Sequence, residues 1–413
     1  MPTPVNPPRG MRDHLPADKR RREGVLSVIR GVYRSYGFDE IETPVVEESS
    51  RLHSGLGGDN EKQVFAVLRR GLDLGDLRSA ESVLGLADLG LRFDLTVPLA
   101  RFYASHRAEL PAVFRSVQIA PVWRAERPQK GRYRQFVQCD IDVLGEAGPL
   151  AEIELIQATT AVLDALGLTG TTIRVNDRRI LLAMLAHWSV PETLTDQALI
   201  VIDKLDKVGV DGVVAELVDL GVTTPGLDHA LAQLAEASWA TGEGDDAPWL
   251  DRAAFADLVA LRDALPGATL RFDPTLVRGM GYYTGTIFEI AHPDVPYSLG
   301  GGGRYDGMIG RFLGTEVPAA GFSLGFERLV ELVTLETDDD AGLALVYDKR
   351  VEPVEVLALQ RELLAGGERR VRLEKKAKNF TNQLDGLAAA GFTRFVTVRG
   401  GESAADLEIR TIG

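Results

Sequence analysis

Thiols are almost absent: Cys139 is the one cysteine among 413 residues. That excludes an internal disulfide framework and a cysteine-based zinc site. The six histidines show no metal-ligand spacing, so no protein-held metal is expected. No apolar run approaches membrane-spanning length, and the opening Met-Pro-Thr-Pro-Val-Asn-Pro-Pro lacks a signal-peptide core. No membrane contact is therefore expected, and the cytoplasm is the expected location. Positive charge is in deficit too, with 46 Lys and Arg against 60 Asp and Glu for a net charge of −14. This argues against non-specific nucleic-acid binding, which depends on phosphate neutralisation, but allows one structured RNA to be held by local basic patches. What is present, 45% hydrophobic and 26% charged residues, describes an ordinary soluble globular protein. Its length calls for two or three domains.

Residues 18–36 predict a helix capped by Asp18, with Val25, Val28, Ile29 and Val32 at helical spacing. Gly37 stops it, and Phe38–Pro44 predicts a strand that ends at the proline. Residues 71–90, rich in Gly, Leu and Asp, predict a hairpin or loop. Leu91–Thr96 alternates and runs into a helix with Pro98 in its first turn. Residues 113–143 read as paired strands around an Arg-rich turn, and Leu150–Leu166 as a helix ended by Gly167.

From residue 178 to about 265 the pattern is helical, in segments Ile180–Trp188, Asp196–Val208, Val210–Leu220, Asp228–Ala237 and Asp251–Leu265. Strand character returns at Ala268–Phe272 and Ile287–Ile290. Thr337–Gly342 is a polar linker. Beyond it, strands 343–347, 370–374 and 394–398 alternate with helices 352–365 and 376–390, which predicts a small α/β domain with a mostly parallel sheet. The expected division is therefore 1–177, a helical insertion 178–267, a return to the first domain over 268–336, a linker 337–342, and a last domain 343–413.

The most informative stretch is Val122–Asp142, where a dense run of guanidinium groups around Pro128 and Gly131 leads into an alternating tail. Phe136, Gln138, Asp140 and Asp142 are spaced by two, so on a strand they share one face. Arg supplies fixed planar cations suited to a triphosphate, and Gln138 with Asp142 could hold a small amino-bearing substrate beside it. Arg124 and Glu126, two apart, are expected to point from one strand face into the same cleft. A bare surface strand with a weak Arg–Glu pair would look much the same at this one place. The run Gly300–Gly303, taken alone, reads as a flexible loop or a place of close backbone approach. Cys139 is out of phase with its neighbours and is expected in the core.

Val122–Asp142 resembles motif 2 of the class II aminoacyl-tRNA synthetases, in its histidyl version. Two further segments follow in the required order: Gly37–Pro44 resembles motif 1, which builds the dimer interface, and Gly321–Leu329 resembles motif 3. Leu276-Val-Arg-Gly-Met-Gly-Tyr-Tyr-Thr-Gly-Thr-Ile-Phe288 and Leu299-Gly-Gly-Gly-Gly-Arg-Tyr-Asp-Gly307 resemble the two histidine signatures of the histidyl-tRNA synthetase family. A Tyr-Tyr pair commonly just packs a core, but the adjacent Arg278 and its glycines need another explanation.

The resemblance implies an α/β fold: an α+β catalytic core built on an antiparallel sheet flanked by helices, a helical insertion, and a C-terminal α/β anticodon-binding domain. It implies catalysis by Arg124, Arg278 and Arg328, with Arg278 at the α-phosphate and the amino-acid carboxylate, where other class II enzymes use a metal ion. ATP would also meet Glu126, Arg132 and Phe136. Histidine would be held by Asp94, Thr96, Gln138, Asp142, Arg278, Tyr282 and Tyr283, while Gln129 and Arg132 would touch the acceptor end of the tRNA. Implied partners are histidine, ATP with Mg²⁺, tRNA and a second copy of the chain. Arg369, Arg370, Arg372, Lys375, Lys376 and Lys378 form a basic patch suited to an anticodon stem, or to nothing beyond ordinary surface charge. One departure stands out, because Gly281 occupies the place of the usual Asp before the tyrosines. Two other functions share these motifs: a histidine-sensing regulatory subunit of ATP phosphoribosyltransferase, and an amino-acid-activating relative with a different acceptor.

Overall fold

The computed structural model describes residues 5–53, 62–128, 131–242, 247–278, 282–334 and 342–412. The chain divides into two compact units: residues 1–12 with 27–333, and residues 13–26 with 334–413.

The larger unit is built on an eight-stranded sheet among the described residues. Its strands lie in the order Asp39–Glu40, Phe114–Trp123, Gln135–Leu144, Ala319–Gly325, Val295–Arg304, Thr286–His292, Thr172–Asp177 and Leu270–Phe272. Neighbours run antiparallel except for the outermost pair at each edge, which are parallel. The expected strand pair around the Arg-rich turn is present as Phe114–Trp123 with Gln135–Leu144. Helix Leu150–Ala165 packs on the strands Gln135–Leu144 and Ala319–Gly325, burying Leu155, Ile156, Val162 and Leu163. It ends as expected, with Gly167 in the left-handed region at φ 71°. Cys139 is fully buried, so it belongs to the core.

Several local expectations change. The first helix is Pro16–Ser35, which puts Asp18 in its first turn instead of at the cap. The strand before Pro44 shrinks to Asp39–Glu40. Beyond it the backbone carbonyls are taken by a side chain, since Arg92 Nη1 donates to Thr43 O at 2.8 Å and Pro44 O at 3.3 Å. Residues 71–90 contain a helix, Leu74–Ser79, where Asp73 accepts from the Gly75 and Asp76 amides and Asp76 returns the bond to Asp73. Gly300–Gly303 is no loop: it lies in the strand Val295–Arg304, bonded on both sides.

The helical stretch begins at Arg178, capped by Asp177, and ends with Arg252–Asp263, capped by Asp251. The expected break between Val208 and Val210 is Gly209, at φ 70° and ψ 177°.

The smaller unit has a four-stranded sheet in the order Val371–Lys375, Gly342–Tyr347, Phe392–Val398, Arg410–Thr411, parallel except for the last strand. Alternation sorts its core. Leu343, Leu345, Val396 and Val398 pack with Val356, Leu359 and Leu363 of helix Pro353–Ala365, while Ala344, Val346 and Phe395 pack with Leu387 of helix Phe380–Ala389. Most of the expected linker 337–342 lies outside the described residues.

Leu155 is fully buried in the helix that backs the large sheet. Leu155→Ala is expected to destabilise the chain by about 2–5 kcal/mol, seen as a lower midpoint in thermal or urea unfolding; an unchanged midpoint would contradict this packing.

Candidate active site

Antiparallel register places residues from six strands in one row on one face of the large sheet. Gln118, Asp140, Ser323, Gly301, Glu289 and Arg174 are successive cross-strand partners. A parallel row two residues along contains Ser116, Asp142, Gly321, Gly303 and Ile287. Directly opposed residues share a face, so these rows form a continuous floor.

Two glycines give that floor its depth. A Cβ at Gly301 would lie 2.5 Å from Arg278 Nη1, and one at Gly321 would lie 2.0 Å from Asp142 Oδ1. Bare backbone lets both charged groups lie against the sheet. The resulting pocket is lined by Thr96, Asp140, Asp142, Tyr282, Tyr283 and Tyr305 over this floor.

The pocket wall comes from stacked tyrosines. Tyr282 and Tyr283 have ring centroids 4.3 Å apart, and Tyr305 lies 5.7 Å from Tyr282. Tyr305 donates its hydroxyl to Asp142 at 2.5 Å. Burial pushes the Asp142 pKa up to about 7, opposed by the Tyr305 bond and reinforced by the Asp94 charge. Asp94 itself accepts from the Val97 amide at 3.3 Å, where helix Thr96–His106 begins with Pro98 in its first turn, as expected. Gln138 is buried, with its Nε2 3.2 Å from Asp140 and 3.1 Å from Ser323 Oγ.

Several arginines are held near this floor. Arg278 pairs with Glu289 at 3.1 Å, and Glu289 also meets Arg174 at 3.3 Å. Arg174 is anchored in turn by Asp273 at 2.5 Å. Arg328 follows the strand Ala319–Gly325 in helix Phe326–Leu332, where Nη1 donates to Ser298 O at 2.5 Å and the guanidinium lies 5.1 Å from the Tyr297 ring. Burial lowers its pKa, and the charges of Arg132 and Arg278 lower it further. Arg124 donates to Phe93 O at 3.0 Å and lies 5.1 Å from the Phe136 ring. Burial lowers its pKa as well, against the opposing pull of Asp94, Glu126 and Asp140, while Arg132 adds to the lowering. Arg328 thus feels the charges of Arg132 and Arg278, and Arg124 that of Arg132; such mutual repulsion favours an anionic ligand.

Arg124 and Glu126 do not project from a strand face. The Phe114–Trp123 strand stops before them, because Arg134 turns its amide to Gly10 O at 2.7 Å and its Nε to Glu126 O at 3.0 Å. Glu126 instead meets Arg132 at 3.6 Å. Gln129 and Gly281 lie outside the described residues. The sequence pattern gave no role to Asp140, Ser323 or Glu289, while Tyr305 fell within the second histidine signature. Asp140 carried a signal, its phase with Gln138 and Asp142; Ser323 and Glu289 become visible through strand register. In the smaller unit, Arg370 lies 4.2 Å from the Phe392 ring and Arg372 pairs with Glu374 at 2.7 Å, so part of the basic patch holds the fold.

Comparison with known proteins gives a consistent set of relatives. A family profile described as Histidyl-tRNA synthetase matches residues 10–329. A histidine–tRNA ligase of Leifsonia xyli is 58% identical over 100% of this chain and 99% of its own length. A probable histidine–tRNA ligase of Tropheryma whipplei is 42% identical over 95% of each chain. The crystal structure of a histidyl-tRNA synthetase from Nostoc sp. PCC 7120 matches 100% of this chain and 95% of that one with a TM-score of 0.80, at 24% identity, which speaks to the fold alone.

The Asp142 carboxyl, at about 7 when folded against an ordinary 3.8, holds a proton that the unfolded chain gives up. Its contribution to stability is complete below pH about 4 and is lost as pH rises through about 7. Asp142→Asn is therefore expected to gain melting temperature relative to the wild type across that interval. A difference that stays constant from pH 4 to 8 would contradict the buried, protonated carboxyl.

Proposed function

The chain belongs to the histidyl-tRNA synthetase family and is a histidine–tRNA ligase, and from that premise we propose how its residues divide the reaction. The histidine carboxylate attacks the ATP α-phosphorus in line; the bond to the β-phosphate oxygen breaks and pyrophosphate leaves. A terminal ribose hydroxyl of the tRNA then takes the acyl group and AMP departs. No covalent enzyme intermediate is needed, so positioning and charge stabilisation carry the catalysis.

Arg278 serves the reacting centre, neutralising charge on the α-phosphate and the substrate carboxylate. Arg124 holds the α-phosphate from the other side, with the adenine near Phe136, and Arg328 takes the γ-phosphate. Glu126 and Arg132, paired across the turn, close over the nucleotide, and Arg132 with Gln129 also meets the acceptor end of the tRNA. The supporting observation is the electrostatic linkage of Arg328 to Arg278 and Arg132, and of Arg124 to Arg132. Asp94, Thr96 and Gln138 receive the substrate ammonium, while Asp142 accepts an imidazole N–H between Tyr282 and Tyr283. A carboxylate there selects a side chain that donates a hydrogen bond.

Mg²⁺ would be carried by the ATP phosphates and would supply charge neutralisation there. Among the described residues no group of three or more His, Cys, Asp and Glu side chains is placed to hold a metal ion. The working form is a homodimer joined through the segment that ends at Pro44, next to the exposed Val45 and Val46. Among the described residues no helix is long and apolar enough to cross a membrane, and we place the protein in the cytoplasm. Residues 343–413, with exposed Lys375 and Lys378, bind the anticodon stem.

Replacing Arg278 by Ala removes the charge nearest the reacting phosphorus. Histidine-dependent ATP–pyrophosphate exchange is expected to fall by roughly 10²–10³-fold, with the melting temperature little changed. Exchange at the wild-type rate would overturn the role given to Arg278.

A further inference from the structure

Asp140 has no part in the roles above, yet it is a buried carboxylate on the pocket floor. It stands between Gln138 and Asp142 on one strand face and opposite Ser323 across the ladder. Gln138 Nε2 is 3.2 Å and 3.4 Å from its two oxygens and 3.1 Å from Ser323 Oγ. An amide nitrogen has two protons to donate, and these two neighbours accept both. Nearby donors are already committed: the Ser323 hydroxyl bonds Asp140, Gln118 on the other side donates to Leu95 O at 3.1 Å, and Tyr305 donates to Asp142. At the other end of the same amide, Gln138 Oε1 is buried and has no partner among the described residues. A buried acceptor without a donor is costly to maintain, and it marks a place where a ligand proton completes the bonding.

We propose that Asp140 is a positioning residue: with Ser323 it fixes the Gln138 amide so that the carbonyl oxygen faces the ammonium of the bound amino acid. The two flip states of an amide have nearly the same shape, so packing alone selects poorly between them. The reversed state would turn an N–H₂ toward a cation. An acceptor at residue 140 excludes that state, because it would put two oxygens together. Burial and the adjacent Asp142 push the Asp140 pKa up, while the hydrogen bonds from Ser323 and Gln138 favour its charged, accepting form. The proposal rests on the reading of Gln138 as a contact of the substrate ammonium.

Pyrophosphate exchange on the full chain tests it. Asp140→Leu removes the acceptor at similar volume, whereas Asp140→Asn retains one. The histidine KM is expected to rise roughly tenfold or more in Asp140→Leu, with the ATP KM unchanged and the Asn variant close to wild type. In a Gln138→Ala background, Asp140→Leu should add nothing further. Inhibition by imidazolepropionate, which lacks the amino group, should be equal in wild type and Asp140→Leu. Should Asp140→Leu fail to fold, Asp140→Ala carries the same expectations. A histidine KM within about twofold of wild type in the folded variant would overturn the proposal, as would an equal loss of imidazolepropionate binding, which reports a collapsed pocket. Gln138→Ala with an unchanged histidine KM would instead remove the reading of Gln138 on which the proposal stands.

Discussion

Cross-strand register is the constraint on which the site depends. Asp140, Ser323, Gly301 and Glu289 come from four strands separated by up to 183 residues along the chain, and antiparallel pairing sets them side by side. A slip of one residue in any ladder would turn its contribution to the opposite, apolar face, against Leu155 and its neighbours. The hydrophobic packing of helix Leu150–Ala165 therefore does more than stabilise the sheet. It holds the register that assembles the floor, and so links core burial directly to chemistry.

Charge is arranged on that floor at the lowest cost the fold allows. A buried ion without a partner is far more destabilising than a paired one. Arg278 is paired with Glu289, Glu289 with Arg174, and Arg174 with Asp273, so each guanidinium at the sheet surface rests on a carboxylate. Arg328 and Arg124 instead lean on backbone carbonyls and aromatic faces. They retain excess positive charge that a polyphosphate can neutralise. A chain with net charge −14 thereby still gathers several arginines beside the sheet floor, since short-range geometry is independent of the global balance.

Much of this was legible in the sequence, for identifiable reasons. Period-two spacing placed Gln138, Asp140 and Asp142 on one face, and helical spacing located Leu150–Ala165 and the break at Gly209. Parallel pairing in the smaller unit followed from alternating strands and helices. The failures share a cause as well. Gly300–Gly303 lacks side chains, so no propensity marks it as a strand; its bonding comes from neighbours distant in sequence. Arg124 and Glu126 looked like strand residues until the N-terminal Gly10 took the Arg134 amide. Glu289 as the partner of Arg278 is a tertiary fact, invisible to local pattern. The amino acid and the tRNA were implied by the two histidine signatures, and the relatives bear them out.

The central expectation is that a single nucleotide bridges Arg124, Arg278 and Arg328 beside the tyrosine-walled pocket. A crystal structure of the protein soaked with histidine and a non-hydrolysable ATP analogue addresses it directly. The account predicts the α-phosphate between Arg124 and Arg278, the γ-phosphate on Arg328, and the imidazole against Asp142. Triphosphate density outside this cleft, or amino-acid density away from Gln138 and Asp142, would contradict it.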